Sequence, residues 1–195
     1  HVHADHLSRA RVLAERTAAA LHLPDQCRVR FPFSAVHDGD QIAIGQAMLT
    51  ALRTPGHTAE STSYLLDGKA AFTGDTLFVK GVGRPDLHAD AAGARERARS
   101  LFASLTILDR LRSETLILPA HANEPIAFDG RAIAAPLAVV HSWLAEWLVS
   151  EESFAERVVA HLPETPPNFS RIVELNEAGE LPDEDPTTLE AGANR

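Results

Sequence analysis

Three histidines and an aspartate fall within six consecutive positions at the start of the chain, His1-Val2-His3-Ala4-Asp5-His6. Side chains this close in sequence converge on one ion only if the backbone bends between them and donors from elsewhere complete the set. The rest of the chain must then bring further donors to this stretch.

Leu7, Ala10, Ala14, Ala18 and Leu21 come next at helical spacing, with Arg9, Arg11, Glu15 and Arg16 on the polar side, which predicts a helix over about residues 7 to 21 closed by Pro24. The cluster then occupies a loop entering a helix, where unpaired N–H groups can orient a carboxylate such as Asp5. A histidine beside a helix start is ordinarily a cap or a solvated side chain. That accounts for one histidine, not three. The chain does not begin with Met, and a candidate ligand stands at position 1, where a free end ordinarily frays. Processing, or a segment upstream, is the expectation.

Residues 27 to 33 alternate enough for a short strand, with Pro32 confining its end to an edge or turn. Asp38-Gly39-Asp40 is a turn signal before Gln41-Ile42-Ala43-Ile44, and Gly45 leads into Ala47 to Leu52. That second run enters Thr54-Pro55-Gly56-His57-Thr58, a tight turn presenting His57 at a strand end. Tyr64-Leu65-Leu66 and Ala70-Ala71-Phe72-Thr73 flank Asp67-Gly68-Lys69 as a hairpin whose second strand stops at Gly74-Asp75. Gly81-Val82-Gly83-Arg84-Pro85-Asp86-Leu87 lacks the spacing of a dinucleotide or phosphate-binding loop.

Ala94, Ala98, Leu101, Leu105 and Leu108 mark a helix over about residues 90 to 112, with Arg95, Glu96, Arg97 and Arg99 as a solvated face. Thr115 to Leu118 forms a short strand ending at Pro119-Ala120-His121, which again sets a histidine just past a strand. Leu137, Val140, Leu144, Trp147 and Leu148 predict a further helix, and residues 151 to 162 another. After Pro182 the chain is acidic and poor in apolar residues, so residues 181 to 195 are expected to be disordered beside a single domain over 1 to 180. Strands succeeded by helices, twice over, imply α/β layers with functional groups at the strand ends.

Composition narrows the function. The 195 residues carry 18 Lys+Arg against 27 Asp+Glu, a formal charge of -9, and nucleic-acid binding needs a basic face. Cys27 is the single cysteine, which excludes an intramolecular disulfide and a thiolate cage. With no secretory apolar stretch and no run long enough to span a bilayer, a cytoplasmic protein is expected, without nucleic acid or membrane as partner.

Four separated segments offer ligand-type side chains beside turns: His1/His3/Asp5/His6, His57, Asp75 and His121. Imidazole with carboxylate suits Zn, Fe, Mn or Ni. Taken singly, His57 or His121 is more often a hydrogen-bonded surface group, and Asp75 after Gly74 can cap a turn. Beside the opening cluster the metal reading outweighs these. His22, His37, His88, His141 and His161 lack such company and are read as structural or exposed.

His-x-His-x-Asp-His, then Thr-Pro-Gly-His-Thr, Phe-Thr-Gly-Asp-Thr-Leu-Phe and Leu-Pro-Ala-His, in that order, resemble the metallo-β-lactamase superfamily. Within it, Gly-Val-Gly-Arg-Pro-Asp-Leu after the aspartate resembles the persulfide dioxygenase (sulfur dioxygenase) branch, some members of which are fused to rhodanese domains. The resemblance is strong from residue 1 to about 124. It implies an αβ/βα sandwich with the site at the rim between two sheets. Such domains carry several strands before the histidine cluster, so the chain resembles an N-terminally truncated member.

In the dioxygenase branch the resemblance implies one Fe(II) held by His1, His57 and Asp75, with His3, Asp5, His6 and His121 orienting the ligands from outside. The partners are then O2 and a thiol persulfide, oxidised to sulfite with release of the thiol. Asp75 and Arg84 are the catalytic candidates, Arg84 matching an arginine near the substrate that can pair with a carboxylate or sulfur oxyanion. A loop salt bridge is the plainer reading of Arg84. The branch often has a tyrosine two residues after the position of His121, where this chain has Asn123. This leaves glutathione, coenzyme A and other small persulfides open, and a homodimer is compatible with the chain.

Two other readings stand beside it. A binuclear thioester hydrolase of the glyoxalase II kind would use His1, His3 and His57 for one Zn, Asp5, His6 and His121 for the other, and Asp75 as the bridge. Against it stand the Arg-Pro-Asp-Leu loop and the lack of a recognisable helical substrate domain after His121. The third reading is a truncated, non-catalytic metal-binding fragment.

Overall fold

A computed structural model of the chain describes residues 1–122, 125–126, 129–183 and 185–190. Where the sequence suggests one block over 1 to 180, the structure groups residues His1–Val36 with Pro163–Arg195 as one compact unit and His37–Leu162 as another. Each unit mixes strands with helices, so the fold class is α/β as expected.

The unit at 37–162 is built on a six-stranded sheet. Its strands are β3 (Gln41–Ile44), β4 (Ala47–Arg53), β5 (Thr62–Leu66), β6 (Ala70–Gly74), β9 (Leu116–Pro119) and β10 (Ala135–Pro136), in the order β10-β9-β6-β5-β4-β3. Its β3–β4 and β5–β6 hairpins match the sequence reading, and Asp67 and Gly68 both take positive φ in the turn between β5 and β6. Between β6 and β9 lie the small hairpin β7 (Leu77–Phe78)–β8 (Gly81–Val82) and helix α2 (Ala91–Leu108). This long connection lets β9 pair with β6 in parallel.

Strand direction decides where the turn residues gather. β4 is antiparallel to β5, β5 is antiparallel to β6, and β6 is parallel to β9, so β4, β6 and β9 all run the same way. Their carboxyl ends therefore share one rim of the sheet, where ligand sites of α/β proteins are found.

Helix α2 begins at Asp90, whose side chain accepts the Gly93 N–H at 2.8 Å. Ala94, Ala98, Leu101, Leu105 and Leu108 are buried along one stripe, as their spacing predicts. Regular helix stops at Leu108, short of residue 112, because Arg110 and Leu111 donate to carbonyls three residues back and tighten the last turn. α3 (Leu137–Trp147) and α4 (Glu151–Ala160) come after β10, the latter capped by Ser150. Leu101, Leu105, Ile117, Val140, Leu144 and Phe154 form the centre of the core.

The other unit holds α1 (Ala10–Thr17), a two-stranded parallel ladder of β1 (His22–Pro24) and β2 (Ser34–Val36), α5 (Phe169–Ala178) and α6 (Thr187–Glu190). α1 starts later than expected because side chains from the distant C-terminal segment take the preceding N–H groups: Leu7 N donates to Glu190 Oε1 and Ser8 N to Asn176 Oδ1. It ends early because Ala18 adopts the left-handed conformation, φ 55. The strand expected at 27 to 33 is not formed; the strands flank it. Arg30 N donates to the carbonyl of Glu177 and Arg28 Nε to its carboxylate, so helix α5 holds this segment in place of a neighbouring strand. Helix α5 itself has no counterpart in the sequence reading. Disorder expected after residue 181 does not extend to α6, where Leu189 O accepts from Asn168 and Glu190 is paired with Arg9; residues 184 and 191–195 lie outside the described ones. Among the described residues no helix is long and apolar enough to cross a membrane.

Candidate metal centre

Each of the three like-directed strands ends in a turn that carries one donor. His57 lies after β4, Asp75 after β6 and His121 after β9. The pairing of β6 with β9 continues one step further through Ala120 N donating to Gly74 O at 3.0 Å, which brings the aspartate and the histidine side by side. His57 Nε2 and His121 Nε2 both approach the same oxygen, Asp75 Oδ2, at 3.4 and 3.5 Å. His57 and Asp75 are buried, whereas His121 is partly open.

The turns are held by close packing and by hydroxyl groups. Gly56 has φ +141, and a Cβ there would lie 2.5 Å from Leu101 Cβ, so only glycine allows this turn to sit on α2. Ser104 of the same helix donates to Pro55 O at 2.7 Å. Thr54 Oγ1 pairs with Ser63 Oγ at 2.9 Å, and Thr76 Oγ1 donates to Thr54 O and Oγ1, tying the turn after β4 to the turn after β6. Gly83 passes so close to Asp75 that an added Cβ would meet the Asp75 carbonyl oxygen at 1.7 Å. None of these supports is signalled by sequence, except that small and hydroxyl residues are dense around the two turns. Trp143 of α3 donates its indole N–H to Val79 O at 2.7 Å and anchors the β7–β8 hairpin.

His57 has a defined tautomer. Its Nδ1 lies 2.8 Å from the carbonyl oxygen of Arg84, which can only accept, so Nδ1 carries the proton. In neutral His57 the Nε2 lone pair then faces the Asp75 carboxylate. Two electron-rich atoms facing each other call for a proton or a cation, and two imidazoles with a carboxylate are a donor set that a divalent transition metal fits. The ring of Phe78 meets that of His121 edge-on, with centroids 6.1 Å apart, and braces it.

Arg84 takes the plainer of its two expected contacts. Its Nε and Nη2 fork onto Asp86 Oδ1 and Oδ2 at 2.8 and 2.7 Å. Burial pushes the Asp86 carboxyl up, but the hydrogen bond and charge of Arg84 outweigh it and hold that carboxyl below its ordinary value. Beside His121, a cavity of about 280 Å³ is lined by Val79, Lys80, Ala122, Ile126, Arg131 and Ile133 among others. It is mainly apolar, with Lys80 and the Arg131–Asp129 ion pair at its wall. Asn123 lies outside the described residues.

The opening cluster belongs to the other unit. His3, Asp5 and His6 each offer a donor atom within 4.8 Å of the other two, and His6 Nδ1 lies 3.0 Å from Asp5 Oδ1. The His1 and His6 rings each pack on that of His3, at 4.5 and 4.2 Å between centroids. The bend between them is held by Asn176 of α5, which donates to the carbonyls of His3 and His6 while accepting from Ser8 N. Leu7, fully buried against Ile172 and Leu175, pins the next segment. Asn176 is not a candidate from sequence; its one hint is a polar residue within the apolar stripe Ile172, Val173, Leu175.

The sequence pattern described as the Metallo-beta-lactamase superfamily matches residues 1–121. A hydroxyacylglutathione hydrolase of Brucella anthropi is 39% identical over 87 residues, 43% of this chain and 34% of that enzyme, so the match spans about a third of the relative's length. Among solved structures, ETHE1 from Myxococcus xanthus superposes with a TM-score of 0.75 at 33% identity, covering 92% of this chain and 74% of that one. A metallo-beta-lactamase from Staphylococcus aureus gives 0.79 at 26% identity, covering 93% and 57%.

Proposed function

Because this chain belongs to the metallo-β-lactamase superfamily, we propose that it is a metal-dependent enzyme of the persulfide dioxygenase type, oxidising a glutathione-type persulfide to sulfite. The observation that carries this is the donor set: His57 with its Nδ1 proton committed to Arg84 O, facing a buried carboxylate. With His1 as the third ligand, which the motif resemblance supplies, two histidines and one carboxylate are the set that leaves open positions on non-haem Fe(II). Fe(II) held there supplies the O2 chemistry. In the net reaction R–S–SH, O2 and water give R–SH and sulfurous acid, with both oxygens of O2 and one of water on the terminal sulfur.

The protein's own groups define the surroundings. Arg84 is the cation proposed to draw a carboxylate or a sulfur oxyanion, with its Nε and Nη2 already committed to Asp86. His3, Asp5 and His6 orient the opening ligand, and His121 acts on Asp75. The resemblance of the Gly81–Leu87 loop to the dioxygenase branch supports this reading over the hydrolase.

One specific observation favours a second reading. His57 and His121 both approach Asp75 Oδ2, as they would if that carboxylate were shared by two Zn ions, and the Brucella relative is named a hydroxyacylglutathione hydrolase. The two are separated by anaerobic purification with metal analysis, then O2 uptake with glutathione persulfide beside hydrolysis of a glutathione thioester. About one iron per chain with O2 uptake is expected. Two zinc ions with thioesterase activity and no O2 uptake would replace the first reading with the second, and a metal-free chain inactive in both assays would leave the non-catalytic fragment.

A further inference from the structure

The loop after β8 makes two contacts that concern one residue. Arg84 accepts the His57 Nδ1–H hydrogen bond with its main-chain carbonyl and forks onto Asp86 with its side chain, at 2.7 to 2.8 Å in each case. Pro85 stands between the two partners of the fork, and a residue before proline is already confined to extended backbone. The side-chain fork therefore closes a stiff turn from Arg84 to Asp86. Asp86 is anchored in its own right, since its carbonyl accepts from Ala89 N at 3.0 Å. Both charged groups are largely buried, with 11% of the Arg84 side chain and 18% of the Asp86 side chain exposed, so this pair keeps its geometry where a surface pair would not.

We infer that Asp86 is a positioning residue for the metal centre: by holding Arg84 it aims the Arg84 carbonyl at His57 and sets which imidazole nitrogen is presented to the ion. Asp86 reaches His57 both through the Arg84 peptide group and through space, where its carboxylate and the imidazole interact by charge; Arg84→Lys, which keeps Asp86, isolates the first route. The inference rests on the reading of His57 as a ligand, but it concerns the tautomer of His57 and can be measured without metal or turnover.

The experiment uses the full chain and three variants: Asp86→Asn, Arg84→Lys, which keeps the charge but cannot fork, and the double variant. In metal-free protein, nitrogen NMR of neutral His57 should report Nδ1–H in the wild type and a mixture of tautomers in each single variant. Zn(II) affinity by chelator competition should fall about 10- to 100-fold in each. Because both break the same contact, the double variant should bind no more weakly than the weaker single variant. Circular dichroism identifies which variants are folded. Should Asp86→Asn fail to fold, Arg84→Lys carries the test alone. An unchanged tautomer and affinity in a folded single variant overturns the inference, as does full additivity in the double variant. Loss of the Nδ1–H form with unchanged metal affinity would spare the positioning of His57 and overturn instead its role as a ligand.

Discussion

His57 donates its Nδ1 proton to the main-chain carbonyl of Arg84 across 27 residues of sequence. A backbone carbonyl does not titrate and cannot rotate away without moving the chain, so it sets the tautomer more firmly than a side-chain partner would. Stability of the Asp75-to-Asp86 segment and competence of the metal centre are thereby linked.

Asp75→Asn tests the centre with the smallest change of shape. It removes the charge that both histidines approach. Metal content by elemental analysis should fall below detection, a larger loss than the roughly 10- to 100-fold expected of groups outside the ligand set, while the far-ultraviolet spectrum is kept. Retained metal would remove Asp75 from the ligand set.

Gly83→Ala should damage fold and site together. The new methyl group would overlap the Asp75 carbonyl oxygen at 1.7 Å, and backbone rather than a flexible side chain must yield. A loss of about 3 kcal/mol or more in urea unfolding is expected, with weaker metal retention in the fraction still folded.

Legibility in the sequence depends on locality. His57, Asp75 and His121 can be placed beside strand ends because Thr-Pro-Gly, Thr-Gly and Leu-Pro-Ala are turn signals read over a few residues. The false strand at 27 to 33 shows the limit. Its alternation is real, but the partner for its backbone is Glu177, a residue on a helix the sequence does not reveal.

Trp143→Phe keeps an aromatic ring and removes the indole donor, leaving the Val79 carbonyl without that partner. Unfolding free energy should drop by about 1 to 3 kcal/mol. Limited proteolysis should cut faster near Lys80, the residue after that carbonyl.

Acid should weaken the unit that carries the opening cluster. Glu190 is held below its ordinary carboxyl value chiefly by hydrogen bonding to Arg9, against a smaller opposing effect of burial, with Leu7 N adding to it. A lowered folded value means that the stabilisation is present at neutral pH and is lost as pH falls from the ordinary glutamate range through the depressed value. Glu190→Gln should lower stability at pH 7 and flatten its loss on acidification, read by thermal melts across that range.

The kind of chemistry can be read along the chain: imidazole and carboxylate donors, no thiolate cage, and turns that put three of the donors at strand ends. Those are properties of residue type and near-neighbour spacing. How the donors meet depends on contacts between distant parts of the chain. Parallel pairing of β6 with β9 and the shared direction of β4 bring His57, Asp75 and His121 to one rim. Asn176 fixes the bend of the opening cluster from 173 and 170 residues away. The Arg84 carbonyl selects the nitrogen His57 presents. Each of these rests on hydrogen bonds between groups far apart in the chain, and such a bond exists only once the backbone between them has been folded.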